Sequence, residues 1–258
     1  MDAMSSFRAK LTAGKLCIGT GISFADPLVT DALGPSLDYV WIDLEHSNMS
    51  PEVVSGHMLA ARRHGIPALV RVQAGEAAFI KPILDAGADG IIVPVLKTVA
   101  EVERVVADCR YPPVGRRGFG PRVPSNYGRD SSAAVIKREN ARVFVAVMAE
   151  TRELVEAIDE VAAVPGLDSV VLGPWDLSGA LGRLGEVEHP EVVAAIERVI
   201  GAVRGAGKFI GSGMGPDGEY GKLMAQRGVQ WLQVGGDFGY LVAYAEQLVR
   251  NVRGAPAG

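Results

Sequence analysis

Short runs of apolar, often β-branched residues recur along the whole chain and alternate with segments of helical character. Each run is almost continuously apolar, which is typical of parallel strands covered on both faces. The eight runs are LCIGTGI (16–22), YVWID (39–43), ALVRV (68–72), GIIVPV (90–95), VFVAVM (143–148), SVVLG (169–173), KFIGSG (208–213) and WLQVGG (231–236). Eight strand–helix units favour an α/β fold of the closed (β/α)8 TIM barrel type over an open doubly wound sheet.

The segments between the runs carry the start and stop signals of helices. Ser50 and Pro51 supply an N-cap and a first-turn proline, and Gly65 follows that segment as a C-terminal stop. Similar signals predict helices over 76–86, 98–109, 151–162, 190–205, 217–227 and 237–250. We expect a single domain over residues 1–258, in which residues 253–258 have little to bury and form a frayed tail.

One connection is much longer than the others. Residues 111–130 hold four prolines and four arginines without any apolar periodicity. Long irregular loops in compact domains are usually lids or subunit contacts. Arg116, Arg117, Arg122 and Arg129 therefore indicate either recognition of an acidic substrate or a surface between subunits, and the sequence leaves both open.

Composition and charge narrow the class of partner. A formal net charge of -4 and a pI near 5.6 argue against a nucleic acid-binding surface. Cys17 and Cys109 stand far apart, and we expect buried structural thiols rather than a disulfide or a zinc site. No signal-peptide pattern and no apolar stretch of about 18 residues occurs, so we expect a cytoplasmic protein that acts on a small molecule and not at a membrane.

Charged residues cluster where the predicted strands end. They are Asp43, Glu45, His46, Arg71, Glu150 and Asp176. In an α/β barrel the carboxyl ends of the strands meet at one face, and that face carries the chemistry. We therefore expect these side chains to converge in one site.

Glu150 and Asp176 are predicted to bind a divalent metal ion. Two carboxylates without an accompanying histidine or cysteine form a hard, oxygen-only site that leaves positions for water or substrate. Such a site favours Mg²⁺ or Mn²⁺, with Co²⁺ or Zn²⁺ as alternatives. Each residue also has a plainer interpretation, since Glu150 precedes a predicted helix and Asp176 could cap a short turn.

Arg71 and His46 are predicted to act on the substrate. Arg71 lies in an otherwise apolar run, where a guanidinium without an anion would be unstable. It is predicted to bind a substrate carboxylate or enolate oxygen, and the alternative is a buried ion pair with Asp43 or Glu45. His46 is predicted to be a base near neutral pH, with one ring nitrogen oriented by Asp43.

The turn before Asp176 is a further candidate for substrate binding. Gly173, Pro174 and Trp175 form a tight turn whose backbone N–H groups could hold a carboxylate beside the metal. Ser212 lies in a glycine-rich strand end that permits close approach of a ligand, and we expect it to contact the substrate too.

Together these motifs resemble the HpcH/HpaI aldolase family, the metal-dependent class II pyruvate aldolases that act on substrates such as 2,4-dihydroxyhept-2-ene-1,7-dioate and 2-dehydro-3-deoxyglucarate. The resemblance covers nearly the whole chain, and the motifs are specific as a set although each is weak alone. In chain order they are WIDLEH (41–46), PALVRV (67–72), LDAGADGIIVP (84–94), YPPVGRRGFG (111–120), AET (149–151) and GPWDLS (173–178).

The resemblance implies a (β/α)8 barrel that exchanges its eighth helix between the subunits of a homohexamer. It implies that Glu150 and Asp176 are the metal ligands and that Arg71 binds pyruvate and its enolate. His46 corresponds to the base and Asp43 to its partner. Asp85 matches an acid that reaches the site from a neighbouring subunit. The sequence departs from the family at Met148, which stands where many relatives have a glutamine.

The implied activity is the making or cleaving of a 4-hydroxy-2-oxo acid from pyruvate and an aldehyde, as in aromatic or sugar acid catabolism. The aldehyde, acidic or not, stays open. One rival is a Schiff-base aldolase, for which Lys97 is the candidate lysine at a strand end. Another is a citrate-lyase-like or decarboxylating carbon–carbon lyase on a different 2-oxo acid, and a third is a metabolite-binding barrel without activity.

Overall fold

The computed structural model describes residues 2–254 and contains the predicted barrel. Eight parallel strands pair in chain order, and β8 pairs with β1 to close the sheet. Their bounds are β1 Cys17–Ile22, β2 Tyr39–Asp43, β3 Ala68–Arg71, β4 Gly90–Val93, β5 Phe144–Ala149, β6 Ser169–Leu172, β7 Phe209–Met214 and β8 Trp231–Gly236. The prediction of a (β/α)8 TIM barrel is confirmed.

Helices surround the barrel and close one end of it. They are α1 Ala3–Thr12, α2 Leu28–Leu33, α3 Pro51–Arg63, α4 Ala77–Asp85, α5 Val99–Cys109, α6 Ser132–Arg142, α7 Arg152–Glu156, α8 Ile158–Ala163, α9 Pro174–Ala180, α10 Pro190–Gly205, α11 Gly218–Gln226 and α12 Asp237–Arg253. None of the helices within residues 2–254 has both the length and the apolar character that a membrane crossing requires.

Most predicted helices occur within two or three residues of their expected bounds. The segment 151–162 differs, because it divides at Ala157 into α7 and α8. The helices α1, α2, α6 and α9 were not predicted from the sequence. The prediction of a frayed tail over 253–258 is wrong at Arg253, which completes α12, and Gly254 ends that helix with a φ of 70°. Residues 255–258 lie outside the described part of the chain.

Alternation along each strand separates two apolar cores. On β2, Val40 and Ile42 face the helices, whereas Tyr39 and Trp41 face the barrel axis. Both sets are buried, which explains why the strands appear in the sequence as continuous apolar runs. The next inward position on β2 is Asp43, so the same alternation carries a carboxylate into the mouth of the barrel.

Trp231 occupies the middle of the inner core. Its ring centroid lies 5.4 Å from that of Tyr39, 6.1 Å from that of Phe144 and 6.3 Å from that of Phe7 on α1. The indole Nε1 donates a hydrogen bond of 3.0 Å to Ser169 Oγ. The buried N–H group of Trp231 therefore has a hydrogen-bond partner. Because Phe7 enters from α1, that helix closes the amino end of the barrel.

The two cysteines are buried and unpaired, as predicted. Burial raises the pKa of both Cys17 and Cys109 to about 12, so neither thiol forms a reactive thiolate near neutral pH.

The long loop 111–130 lies at the amino ends of the strands. Backbone N–H groups of Arg122 and Val123 donate to the carbonyl of Asp85, which ends α4 just before β4. Arg117 Nη2 lies 2.7 Å from Asp85 Oδ1, and its guanidinium stacks on Tyr111. Within one chain these contacts hold residues 117–123 at the amino end of the barrel, and Arg116 pairs with Asp108 on α5.

A substitution at Gly211 tests the packing of the inner core directly. A Cβ at this position would lie 2.2 Å from Trp231 Cε2, so we expect Gly211→Ala to lower the free energy of unfolding by about 1–3 kcal/mol through overpacking. Urea denaturation measures this change. Gly201→Ala on α10 is the matched control, because no atom lies within 4 Å of its new Cβ. Equal stability of the two variants would contradict this description of the inner core.

Candidate active site

The inward positions at the carboxyl ends of the strands form a small cavity in the mouth of the barrel. Its volume is about 190 Å³. The side chains that line it include Trp41, His46, Arg71, Met148 and Asp176. Residues from β2, β3, β5 and the turn after β6 thus meet, as predicted from their places at strand ends.

Arg71 is the centre of a buried ion-pair network. Its Nε and Nη2 donate to Asp43 Oδ1 and Oδ2 at 2.9 and 2.7 Å, and its Nη1 lies 2.9 Å from Glu45 Oε2. The guanidinium also lies 5.4 Å from the centre of the Trp41 ring. With the side chain only 12% exposed, the two carboxylates supply the compensating charge that this burial requires. The alternative interpretation of Arg71, a buried ion pair, is therefore confirmed, and both Asp43 and Glu45 take part in it.

His46 is held at the edge of the mouth through its backbone. Asp43 Oδ1 accepts from the backbone N–H groups of Glu45 and His46 at 3.0 and 3.4 Å. The His46 side chain is 65% exposed, and its Nε2 lies 3.7 Å from Glu45 Oε2. The prediction that Asp43 orients a ring nitrogen is therefore wrong for this structure, because both Asp43 oxygens bind Arg71 and the carboxylate nearest the ring is Glu45.

Glu150 is a buried carboxylate directed into the mouth. It is 5% exposed, and its Oε1 accepts a hydrogen bond of 2.7 Å from the backbone N–H of Val95. Burial and the charges of Glu45 and Asp176 raise the pKa of Glu150 to about 7. The plainer interpretation of Glu150 as a helix-terminal carboxylate does not hold, because Thr151 caps α7 and Glu150 binds a loop after another strand.

Gly173 makes room for that carboxylate. A Cβ at Gly173 would lie 2.7 Å from Glu150 Oε2, although the glycine's own φ of −109° is available to any residue. The space, and not the backbone conformation, requires glycine at this position.

Asp176 differs from Glu150 in being exposed. The segment predicted as a tight turn is the first turn of α9, in which Gly173 occupies the N-cap position and Asp176 is the third helical residue. Asp176 is therefore not an N-cap. Its side chain lines the mouth cavity, as does the indole of Trp175, and the backbone places both beside Gly173.

Glu150 and Asp176 have the donor chemistry that a hard divalent cation requires. Both supply carboxylate oxygens, and a positive ion would relieve the burial and like-charge repulsion that destabilise the Glu150 carboxylate. Residues 2–254 contain no group of three or more His, Cys, Asp or Glu side chains arranged to hold a metal. Any ion bound here would complete its coordination with water or substrate.

Three other candidates lie away from this arrangement. Ser212 is fully buried and shares the outward face of β7 with Ile210, so its predicted contact with substrate is wrong. Asp85 lies at the amino end of the barrel and binds Arg117, remote from the mouth of its own chain. Lys97 is 57% exposed, with its Nζ 3.7 Å from Glu153, and lacks the desolvation that a Schiff-base lysine needs.

Two polar residues of the mouth have a larger part in the site than the sequence patterns indicated. Glu45 was predicted only as an acid at a strand end and as an alternative partner of Arg71, yet it bridges Arg71 and His46. Gln233, on β8, lines the same cavity and was not predicted. The signal for Gln233 was present in the sequence: it stands two residues after Trp231, and therefore on the same face of the strand.

A closed parallel barrel with an arginine and several carboxylates at the carboxyl ends of its strands has the architecture of a TIM-barrel enzyme. Residues 23–243 match the model of the HpcH/HpaI aldolase/citrate lyase family. The chain belongs to this family. The resemblance inferred from the motifs is confirmed, and with it the class of enzyme, a carbon–carbon lyase.

Individual relatives cover almost the whole chain. The hydroxypyruvate/pyruvate aldolase of Pseudomonas aeruginosa is 32% identical over 98% of this chain and 95% of its own length. The 4-hydroxy-2-oxo-heptane-1,7-dioate aldolase of Shigella flexneri is 32% identical over 95% of this chain and 91% of its own. The crystal structure of an HpcH/HpaI aldolase from Desulfitobacterium hafniense DCB-2 superposes with a TM-score of 0.90 at 30% identity, covering 97% of each chain.

The two carboxylates make the metal site testable without any substrate. We expect Glu150→Gln and Asp176→Asn each to weaken Mn²⁺ binding by more than about 100-fold, since loss of even an outer partner costs roughly 10- to 100-fold. Isothermal titration with Mn²⁺ measures the affinity. Glu153→Gln, which removes an exposed carboxylate of α7, is the control and should bind as the unmodified chain does. Unchanged affinity in both ligand variants would refute the assignment.

Proposed function

We propose that this chain catalyses the reversible aldol addition of pyruvate to an aldehyde, using Mg²⁺ or Mn²⁺. The observation that carries the proposal is the convergence of three charged groups at the mouth of the barrel. Asp176 and the paired guanidinium of Arg71 line one cavity, and the buried carboxylate of Glu150 lies behind the cavity wall at Gly173, close enough for both charges to shift its pKa. The names of the Pseudomonas aeruginosa and Shigella flexneri relatives support an oxo acid as the substrate class.

Glu150 and Asp176 would hold the metal ion. When bound, a divalent metal supplies Lewis-acid polarisation of the 2-oxo acid and thereby makes its methyl group more acidic. The Val95 N–H fixes Oε1 of Glu150, so that the other oxygen keeps a defined direction toward the mouth.

Arg71 would bind the substrate carboxylate or the negative charge that develops on the enolate. Asp43 binds Nε and Nη2 of Arg71 in a bidentate ion pair. The remaining nitrogen, Nη1, which also contacts Glu45, is the one available to a substrate. Asp43 is therefore a positioning residue that fixes the plane of the guanidinium. Met148 Sδ lies 3.8 Å from Nη1 and gives this side of the pocket an apolar wall.

His46 would remove the proton from the methyl group and return it during cleavage. Its exposed ring reaches the cavity, and the Glu45 carboxylate near Nε2 would stabilise the protonated imidazole after transfer.

Exchange of the pyruvate methyl protons with deuterium tests this step without an aldehyde. With Mn²⁺ present we expect exchange by the unmodified chain, and a decrease of about 10²- to 10⁴-fold in His46→Ala because the positioned base is lost. Proton NMR follows the methyl signal. His64→Ala is the control, because His64 pairs with Asp31 outside the mouth. Near-normal exchange in His46→Ala would remove this residue from the mechanism.

Deuterium exchange also helps to distinguish the proposed aldolase from two other candidate functions. Exchange that survives exhaustive chelation, together with borohydride trapping of pyruvate on Lys97, would establish a Schiff-base aldolase. The family description also includes citrate lyases, so a carbon–carbon lyase for another oxo acid is the second candidate. That candidate would cleave or decarboxylate its own 2-oxo acid without condensing pyruvate with any aldehyde. Condensation is the result that separates it from the aldolase, because a decarboxylase that releases the pyruvate enolate would exchange the methyl protons as well.

We further propose that α12 exchanges between the subunits of a homohexamer. The support is its composition: Phe238, Leu241, Val242, Tyr244, Leu248, Val249 and Val252 are all exposed large apolar side chains. A helix with only Asp237 buried leaves an apolar surface that an isolated chain would expose to water. In such an assembly Asp85, at the amino end, would approach the mouth of a neighbouring subunit.

A charge on α12 tests this assembly. We expect Leu241→Asp to lower the molar mass in solution, because the interface would then bury an unpaired carboxylate. Size-exclusion chromatography with light scattering measures the mass. Leu59→Asp on α3, which is exposed to a similar degree, is the control and should keep the mass of the unmodified protein. A monomer before any substitution would refute the proposal.

A further inference from the structure

A second, larger cavity adjoins the mouth. This cleft has a volume of about 850 Å³ and lies between residues 185–189 and the loop 215–220 that follows β7. It shares Trp175 and Met214 with the cavity that contains Asp176. The cleft is therefore the cavity next to the candidate metal site, and the shared residues form the wall between them.

We propose that this cleft binds the aldehyde and selects a neutral, hydroxyl-rich aldehyde over one that carries a carboxylate. The inference rests on the proposed aldolase function and adds the substrate class, which the family assignment leaves open.

The charge of the cleft is the first support. Glu186, Glu188, Asp217 and Glu219 line it, and its described lining contains no lysine or arginine. Two of these acids are already engaged: Glu219 pairs with Lys222 at 2.7 Å, and Asp217 accepts the first N–H groups of α11.

The other two acids, Glu186 and Glu188, give the cleft an uncompensated negative charge. Neither takes part in an ion pair among residues 2–254. A carboxylate on the aldehyde would face like charges there, whereas hydroxyl groups would donate hydrogen bonds to these oxygens.

The shape of the cleft is the second support. Trp175 is 58% exposed, and its indole rests on Gly185, where a Cβ would lie 3.4 Å from Cζ3. A large aromatic side chain held open at a cavity wall offers a flat apolar face to the carbon skeleton of a ligand. An aromatic face combined with carboxylate acceptors suits a polyhydroxylated chain, which has C–H groups on one side and hydroxyls on its edges.

The positions of the cations are the third support. Arg71 is the only arginine or lysine among the described residues that line either cavity, and Asp43 and Glu45 already neutralise it. None of the loop arginines, which from the sequence could have recognised an acidic aldehyde, lines either cavity; Arg116 pairs with Asp108 and Arg117 with Asp85. A second carboxylate on the substrate would therefore find no cation in the cleft of this chain.

Two aldehydes of equal length separate the alternatives. D-glyceraldehyde and tartronate semialdehyde differ in that a hydroxymethyl group is replaced by a carboxylate. With pyruvate and Mn²⁺ fixed, we expect kcat/KM to be at least about tenfold higher for glyceraldehyde. In the double variant Glu186→Gln, Glu188→Gln this ratio should fall by about 5- to 20-fold, because two like charges are removed.

The control is the double variant Glu103→Gln, Glu160→Gln. It removes the same net charge from exposed sites on α5 and α8, away from the cleft, and should leave the ratio unchanged. Deuterium exchange into pyruvate is measured in every preparation, so that enolisation and aldehyde selection are read separately.

Failure of the cleft proposal and failure of the aldolase function give different results. If pyruvate exchanges but tartronate semialdehyde reacts as well as glyceraldehyde or better, the cleft proposal fails and the aldolase function stands. The cleft proposal also fails if the double variant keeps the original ratio or if the distant control shifts it equally. Absence of both exchange and condensation would overturn the proposed function and this inference together.

Discussion

The buried guanidinium of Arg71 is the constraint around which the mouth of the barrel is arranged. A positive charge on the inner face of β3 is stable only with anions at hydrogen-bonding distance, and Asp43 and Glu45 supply them from the end of β2. Glu150 and Asp176 then add two more carboxylates to the same small volume. Since one guanidinium cannot balance four acids, the mouth has an excess of negative charge, and a divalent cation is the species that would restore the balance.

The alternation of each strand connects this charged mouth to the apolar interior. The face that carries Tyr39 and Trp41 toward the axis delivers Asp43 at the end of β2, and the face that carries Phe144 and Met148 delivers Glu150 after β5. The polar site is thus the upper layer of the inner core. The side chains of the site pack against the aromatic rings of the inner core, and this packing limits how far they can shift.

The barrel was predictable because strands buried on both faces leave continuous apolar runs, a signal that depends on few neighbours in the sequence. The convergence of Asp43, Arg71, Glu150 and Asp176 was also predictable, since parallel strands place their carboxyl ends together. Contacts between individual side chains were not. Whether Asp43 binds the His46 ring or Arg71 depends on distances of about an ångström that no pattern of residue types specifies. One error nevertheless had a signal in the sequence. Ser212 lies one residue away from the inward-facing Gly211 and Gly213, so alternation alone places it toward the helices.

Gly173 illustrates how a residue that follows one strand can be constrained by a residue that follows the neighbouring strand. Its backbone would accept any amino acid, but the volume where its side chain would stand is occupied by an oxygen of Glu150. The two positions therefore depend on each other: a side chain at 173 would push the Glu150 carboxylate from its place or require a shorter residue at 150, and either change moves the carboxylate. Any redesign of the turn for a new aldehyde has freedom at Trp175 and none at the glycine two residues before it.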